Sequence, residues 1–342
     1  MILILSHNSM RLTLESVIDW IEYYGGNYMR LKGQDLLDGD KMYSCKLGKG
    51  DNELKITKEK EQKNLIEEAN VIWFRGFIRH RDYIEGILNN CPSTNKSACE
   101  LQHKIHYELK LMTFMFFDNL PAQKQYPNLK SMRVSKPTLL KEADKLGIKI
   151  PASIVTNSKK ELLDFYHQHN EIIITKPLYE ITHFVEEGHV FFFKTAIVTQ
   201  EYLDKTPLTF FPSLFQECVE KEYELRIFYI DEEFYPMAIF SQLDEQTKVD
   251  FRNYNFERPN RTVPYILPKN QEEKLRQLML NLNINTGSID LIKGTDGEYY
   301  FLEVNPGGQF GMTSIPCNYF LEEKMAQILI KNDTPYETKN IL

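Results

Sequence analysis

Three residues near the C-terminus carry side chains that could do chemistry together: Asp290, Glu303 and Asn305, within "TGSIDLIKGTDGEYYFLEVNPGG" (286–308). Asp296-Gly297 is a strong signal for a two-residue hairpin turn, and counting outward from it sets Asp290 opposite Glu303. Two carboxylates facing each other across a ladder repel unless something compensates. A divalent cation would do so. Side chains alternate along a strand, so Asn305 points to the same face as Glu303. A few oxygen ligands that leave room for waters and phosphates are the usual way of holding Mg²⁺. A polar strand edge closed by an ordinary Asn-Pro-Gly-Gly turn accounts for this stretch equally well.

A Mg²⁺ site of this type calls for basic groups elsewhere to hold the phosphates of a nucleotide. Lys176 ends the apolar strand "IIIT" (172–175) directly before Pro177, where packing gives a lysine little reason to sit; snorkelling to solvent is the alternative. Lys136 stands at the start of a helix, whose positive end disfavours a cation but welcomes an anion beside it. The stretch "LFQECVEKEYELRIFYI" (214–230) reads as a strand over 214–219, a charged turn, and a second strand in which Glu224 and Arg226 share a face. Its backbone edge at Glu217–Val219 could pair with the edge of an adenine. Glu224 could accept ribose hydroxyls, and Arg226 could reach phosphates.

These groups need elements to position them. With 342 residues, 42% hydrophobic and 26% charged, the chain can form two or three units with a substantial core. A net charge of −7 and the lack of a concentrated basic region argue against general nucleic-acid binding. Cys45, Cys91, Cys99, Cys218 and Cys317 are scattered with no CxxC pair, which fits a reducing compartment and no zinc knuckle. The start, "MILILSHNSM", lacks a basic segment and is no signal peptide. No run approaches the ~20 apolar residues that span a bilayer. A cytoplasmic protein without a membrane partner is expected.

The N-terminal third reads as α/β. It has a buried strand at 2–5, a helix over 11–26 ending in two glycines, a strand "VIWFRGF" (71–77), and a long amphipathic helix over 98–118. His103 and His106 on that helix lack a third ligand and read as surface or interface histidines. The lysine-rich stretch 55–63 reads as a solvated face. Residues 120–134 are the best boundary. Beyond it Ser135 caps a helix that Gly147 stops, and "SKKE" (158–161) opens another. A hairpin over 184–198 turns at Glu187-Gly188, and a helix lies near 270–282.

In their order and spacing, "SKPTLLKEADKLGIKIP", "IIITKP", "QECVEKEYELR", "GSIDLI" and "FLEVNPGG" resemble the ATP-grasp ligases over roughly 126–342. The resemblance implies an α/β ATP-grasp fold. An N-terminal pre-ATP-grasp domain would cover 1–125, a central lid subdomain 126–212, and a C-terminal catalytic subdomain 213–342. It implies that Lys136 and Lys176 grip the phosphates of ATP and that Glu217 and Val219 form the adenine hinge. Glu224 would hold ribose and Arg226 the transferring phosphate, with Asp290, Glu303 and Asn305 as Mg²⁺ ligands.

More narrowly, "ILILS", "VIWFRGF" and "SQLDEQTKVDFRNYN" (241–255) resemble the macrocyclases of graspetides, the grasp-with-spasm peptide maturases. Asp250-Phe251-Arg252 matches their Asp-aromatic-Arg motif, with Phe251 where tryptophan is frequent. The implied activity is ATP-dependent. Asp or Glu side chains of a ribosomal precursor peptide become acyl-phosphates and are joined to Ser or Thr hydroxyls, or Lys amines. Arg252 would steer the acidic side chain, and Asp250 would act as base or orient Arg252. Arg258 is a second basic candidate, or simply solvent-facing. A leader segment of the peptide would dock beside the hairpin, where Phe191, Phe192 and Phe193 are contact or core. The Gly307-Gly308 pair would leave room for the substrate's carboxylate. A homodimer is carried over from the family. An ATP-grasp ligase that joins free amino acids or modifies a protein terminus would share every nucleotide residue. An idle ATP-binding scaffold would be expected to lose metal ligands.

Overall fold

Strand β1 (Ile2–Ser6) is buried at every position, as an apolar run between two neighbours in a parallel sheet must be. Those neighbours are β2 (Tyr28–Lys32), reached through helix α1 (Leu12–Tyr23), and β5 (Val71–Phe74). The computed structural model describes residues 1–7, 12–36, 41–48, 53–58, 64, 66–77, 96–120, 124–178, 182–186, 189–253 and 255–333. The chain divides into two units, one of Met1–Lys130 with Phe320–Leu342, the other of Ser131–Tyr319.

In the first unit the parallel sheet has the order β2-β1-β5-β6, closed by β6 (Lys124–Tyr126) after helix α2 (Lys96–Asn119). The strand expected over 71–77 stops at Phe74, and Gly76 takes φ +120°. Strands β3 (Lys41–Lys46) and β4 (Glu53–Lys58) form an antiparallel pair. The stretch read as a solvated lysine face therefore begins inside a strand, with Ile56 fully buried; alternation buries one side whatever the charge on the other. The C-terminal helix Leu321–Asn332 packs back onto this unit. The Met1 amino group lies 2.7 Å from Asp333, Asn70 Nδ2 donates to the Asp333 carbonyl at 2.6 Å, and Tyr24 bonds Glu323. The expected C-terminal segment 213–342 therefore ends in a helix that packs with the N-terminal residues.

The second unit opens with α3 (Lys136–Lys145), where the Ser135 hydroxyl accepts from the Thr138 amide. Gly147, at φ +65°, ends it. Then follow β7 (Ser153–Ser158), α4 (Lys159–Gln168) capped by Ser158, and β8 (Ile173–Lys176). The expected hairpin has arms β9 (Thr182–Glu186) and β10 (His189–Phe193). It ends earlier than 198, because β11 (Ala196–Ile197) leaves it to pair with β8. Its turn at Glu187-Gly188 and the side chains of Phe191, Phe192 and Phe193 lie outside what is described. After α5 (Gln200–Lys205), β12 (Thr209–Glu217) completes the sheet β11-β8-β12-β7.

The second sheet has the order β15-β14-β13-β16-β17, from β13 (Lys221–Ile230), β14 (Glu233–Phe240), β15 (Arg261–Pro264), β16 (Thr286–Gly294) and β17 (Tyr299–Asn305). Helix α6 (Lys269–Asn281) and α3 cover one face, where Leu139, Leu140, Leu275 and Leu278 pack on Leu225, Ile227, Ile289, Leu291 and Phe301. The period of two then sends Glu224, Arg226 and Asp290 to the other face. Helix α7 (Gly311–Cys317) follows the sheet.

Candidate active site

The Asp290–Glu303 pair forms as expected, but by a different route. The β16–β17 connection is a three-residue loop, Thr295 to Gly297, rather than a two-residue turn. The Gly294 amide donates to the Glu298 carbonyl at 2.9 Å, the Gly297 amide donates to the Gly294 carbonyl at 3.0 Å, and Gly297 takes φ +83°. This loop class ends in a residue at positive φ, which glycine adopts without penalty. It slips the register by one residue, so that Leu291 meets Phe301. A bulge at Leu302 then slips it back, and Asp290 meets Glu303. The bulge also lets Phe301 and Val304 both enter the core while Glu303 faces away from it.

A cavity of about 580 Å³ lies in the second unit against this face. Its wall includes Lys176, the backbone run Glu217–Val219, Glu224, Asp250, Arg252, Asp290 and Glu303. Lys136, from the first turn of α3, reaches in to within 3.2 Å of Glu303 Oε2 and donates to the Pro177 carbonyl at 3.2 Å. Arg226 stands opposite Asp290 in register, and its Nη1 donates to both carboxylate oxygens at 2.7 Å. Arg226, read from sequence as free for phosphate, is thus engaged by a carboxylate that shares its strand pair. Asn305 is not brought into the cavity wall. It is exposed at the end of β17, opposite Ser288, on Glu303's side of the strand. Arg258 is exposed.

The carboxylates differ in their surroundings. Burial pushes Asp290 above its ordinary value; Arg226 opposes the shift and Glu303 adds to it. Burial acts on Glu303 too, but Lys136, Arg252 and Lys176 together hold it below the usual carboxylate range. Lys176 is brought down to about 8, first by burial and then by repulsion from Lys136 and Arg252, against the attraction of Glu303 and Asp250.

Asp250 accepts from Arg252 Nε at 2.8 Å, from Nη2 at 2.7 Å, and from the Arg252 amide at 3.0 Å. Burial would raise this carboxyl, but Arg252 and a hydrogen bond from the Thr195 side chain keep it low. A carboxylate so occupied is a poor base. Arg252 Nη1 extends to Glu303 Oε1 at 3.4 Å. Between the two charged residues Phe251 is buried against Met237, Ile239 and Cys317, which anchors the loop.

Sequence reading missed Lys221. The strand expected to run to 219 stops at Glu217 and β13 starts at Lys221, so the turn is 218–220 and Lys221 sits inside a strand. It is buried, bonds Glu224 Oε1, and donates to the Val249 carbonyl at 3.0 Å; Ser241 Oγ donates to Glu224 Oε2 at 2.6 Å. Burial raises the Glu224 carboxyl, and Lys221 and Ser241 oppose that shift. The one available signal was a lysine three residues before a glutamate at the start of a strand. A Cβ at Gly308 would lie 2.7 Å from the Ser288 backbone nitrogen, so the fold itself requires glycine there.

Such a wall can receive a flat base along a backbone run, a polyanion between Lys136 and Lys176, and a carboxylate at Arg252. Two opposed carboxylates supply hard oxygen donors suited to Mg²⁺. Among the described residues no group of three or more His, Cys, Asp or Glu forms a metal cluster, and no helix is long and apolar enough to cross a membrane.

No protein-family model matches the chain. No curated protein matches it by sequence either. Solved structures do. A RiPP-associated ATP-grasp ligase from Chryseobacterium gregarium, in complex with ADP and a leader and core peptide, matches with a TM-score of 0.79 and 25% identity, over 98% of this chain and 97% of that one. Macrocyclase MdnC from Microcystis aeruginosa, bound with precursor peptide MdnA, matches at 0.78 and 26%, over 97% and 99%. The ATP-grasp ligase PsnB, complexed with minimal precursor, Mg and ADP, matches at 0.71 and 14% over 97% of both chains, a likeness of fold alone.

Proposed function

We propose that this chain, which has the ATP-grasp fold, is an ADP-forming ligase that closes side-chain rings on a ribosomal precursor peptide. The observation that carries the reading is Arg252, which donates three hydrogen bonds to Asp250 and reaches Glu303 in the wall that also holds Lys176 and the Glu217–Val219 edge. A planar guanidinium fixed in this way suits a carboxylate substrate delivered beside phosphates.

A carboxylate cannot acylate an alcohol directly, because its leaving group would be oxide. One oxygen of the peptide's Asp or Glu side chain attacks the γ-phosphorus of the substrate ATP. The bond from that phosphorus to ADP breaks, and an acyl-phosphate forms. A Ser or Thr hydroxyl, or a Lys amine, then attacks the carbonyl carbon; phosphate leaves and the nucleophile gives up its proton. Lys136 and Lys176 balance charge on the phosphates, the dominant contribution in phosphoryl transfer. Arg252 orients the acidic side chain, and Asp250 orients Arg252. Asp290 and Glu303, with Asn305 two residues along, would hold Mg²⁺, which when bound shields charge on the phosphates. Arg226 supports Asp290 from the neighbouring strand and is the phosphate's further cation. Glu217 and Val219 receive the adenine, and Glu224 the ribose.

The leader segment docks beside the β9–β10 hairpin and helps close the lid, so that binding and ring closure are coupled. The division into 1–125, 126–212 and 213–342 carries over as functional segments of the fold, with the homodimer and the cytoplasmic location. The test is mass spectrometry of a candidate precursor rich in Thr and acidic residues after incubation with the protein and ATP. Loss of one water per ring supports the reading. ATP consumption without any change in the peptide would point instead to a ligase of free amino acids, and no consumption to a scaffold.

A further inference from the structure

Lys221 is a buried cation for which the reaction outlined above has no task. Its side chain is 5% exposed, and burying an ammonium is costly unless each contact is used. The ammonium bonds Glu224 Oε1 and also the carbonyl oxygen of Val249, 28 residues further along the chain. The other oxygen of Glu224 is already taken by Ser241, whose own carbonyl accepts from Thr247 Oγ1 at 2.9 Å. Balancing Glu224 would require only the first of the two lysine contacts.

The second contact falls on the residue before Asp250. From there Asp250 grips Arg252 through its side chain and its backbone amide. A continuous path of bonds therefore runs along one cavity wall from Glu224 through Lys221 and Val249 to Asp250 and Arg252. Phe251, 6% exposed in its apolar cluster, gives the loop a fixed pivot. Hydroxyls donated into Glu224 would share its lone pairs and weaken its hold on the ammonium. The ammonium would then tighten on the Val249 carbonyl, as linked hydrogen bonds in a low-dielectric site adjust together.

We propose that Lys221 is a positioning residue that carries occupancy of Glu224 by a nucleoside's hydroxyls to the loop bearing Arg252, so that nucleotide and acidic side chain bind cooperatively. The inference rests on the ligase reading above and deepens it. Lys221 touches neither reacting atom. Its role is to make the guanidinium's position depend on whether the sugar is present.

The test is amide hydrogen exchange across residues 249–253 with and without ADP, in the wild type, Lys221→Arg and Lys221→Met. ADP should slow exchange in this loop tenfold or more in the wild type, by a comparable factor in Lys221→Arg, and less than twofold in Lys221→Met held at saturating ADP. With peptide, Lys221→Met should raise the KM for peptide at least tenfold at saturating ATP while kcat changes less than threefold. Loop protection by ADP that survives in Lys221→Met overturns the proposal, as does an unchanged peptide KM. If Lys221→Met fails to fold, the pair Lys221→Met with Glu224→Gln removes both buried charges and must show the same loss of protection; protection retained there is equally fatal. Ring closure on the precursor by the wild type, assayed alongside, decides the ligase reading separately. A wild type that binds no ADP would bring down both.

Discussion

The two ends of the cavity are built on the same strands, β13 and its neighbours, yet they handle charge in opposite ways. At the Glu224 end the charges are closed off. Lys221 and Glu224 are 5% and 7% exposed, and each is matched within the protein. At the Glu303 end, among the described residues, four cationic side chains, Lys136, Lys176, Arg226 and Arg252, meet three carboxylates, Asp250, Asp290 and Glu303. The positive charge there holds Glu303 low, and burial, with repulsion from Lys136 and Arg252 behind it, brings Lys176 down to about 8. A closed end can hold geometry without attracting ions, while an open end keeps cationic charge that suits a polyanion.

The largest expected effect at the open end comes from Arg252. Arg252→Ala should lower kcat/KM for ring closure by on the order of 10²-fold or more through lost orientation, while ADP affinity, read by calorimetry, changes little. Arg252→Lys should rescue poorly, because an ammonium cannot reproduce the fork that grips Asp250. An Arg252→Ala variant as active as the wild type would erase the contrast between the ends.

Asp290→Asn should act on stability. It leaves the guanidinium of Arg226, 11% exposed, facing an amide, and breaking a buried pair in this way costs about 3–5 kcal/mol. Thermal unfolding checks it. A melting temperature within a degree of the wild type would mean that the pair is better solvated than its burial indicates.

The pH dependence separates the ends more finely. Lys176 free in the cavity loses its proton near pH 8, whereas bound phosphates favour the charged form and raise that value. Above pH 8 binding must therefore take up a proton, and ADP affinity should fall with pH by at most about tenfold per unit. Calorimetry in buffers of different ionisation enthalpy measures the uptake directly. Lys176→Arg, charged throughout, should flatten the profile.

The smallest effect belongs to the closed end. Ser241→Ala removes one donor to Glu224 and should weaken ADP binding by a factor corresponding to about 1 kcal/mol, with kcat unchanged at saturating ATP. A large drop in kcat would show that this end also takes part in the chemical step.

Much of this was legible in the residues. Caps at Ser135 and Ser158, the stop at Gly147 and the buried run of β1 follow local rules that hold wherever the chain goes. The stretch 172–175, expected as a buried strand, is buried only at Ile173. Opposite carboxylates at Asp290 and Glu303 were also readable, though the count that found them assumed a two-residue turn and no bulge. Two one-residue offsets cancelled. A loop of three residues and a bulge at Leu302 are both choices of backbone geometry that many sequences tolerate, and side-chain identity constrains them weakly.

What the sequence by itself determined was the set of chemical groups and the alternation that puts Glu224, Arg226 and Asp290 on one face of a sheet. Period and polarity are local properties, so they survive without knowledge of the partner strands. Tertiary structure alone decided who answers each charge. Arg226 turned to Asp290, Lys136 crossed to Glu303, and Lys221 joined Glu224 to a loop 28 residues away. Those pairings depend on distances of a few ångströms between segments far apart in the chain, and a buried charge takes whichever partner the packing brings within reach.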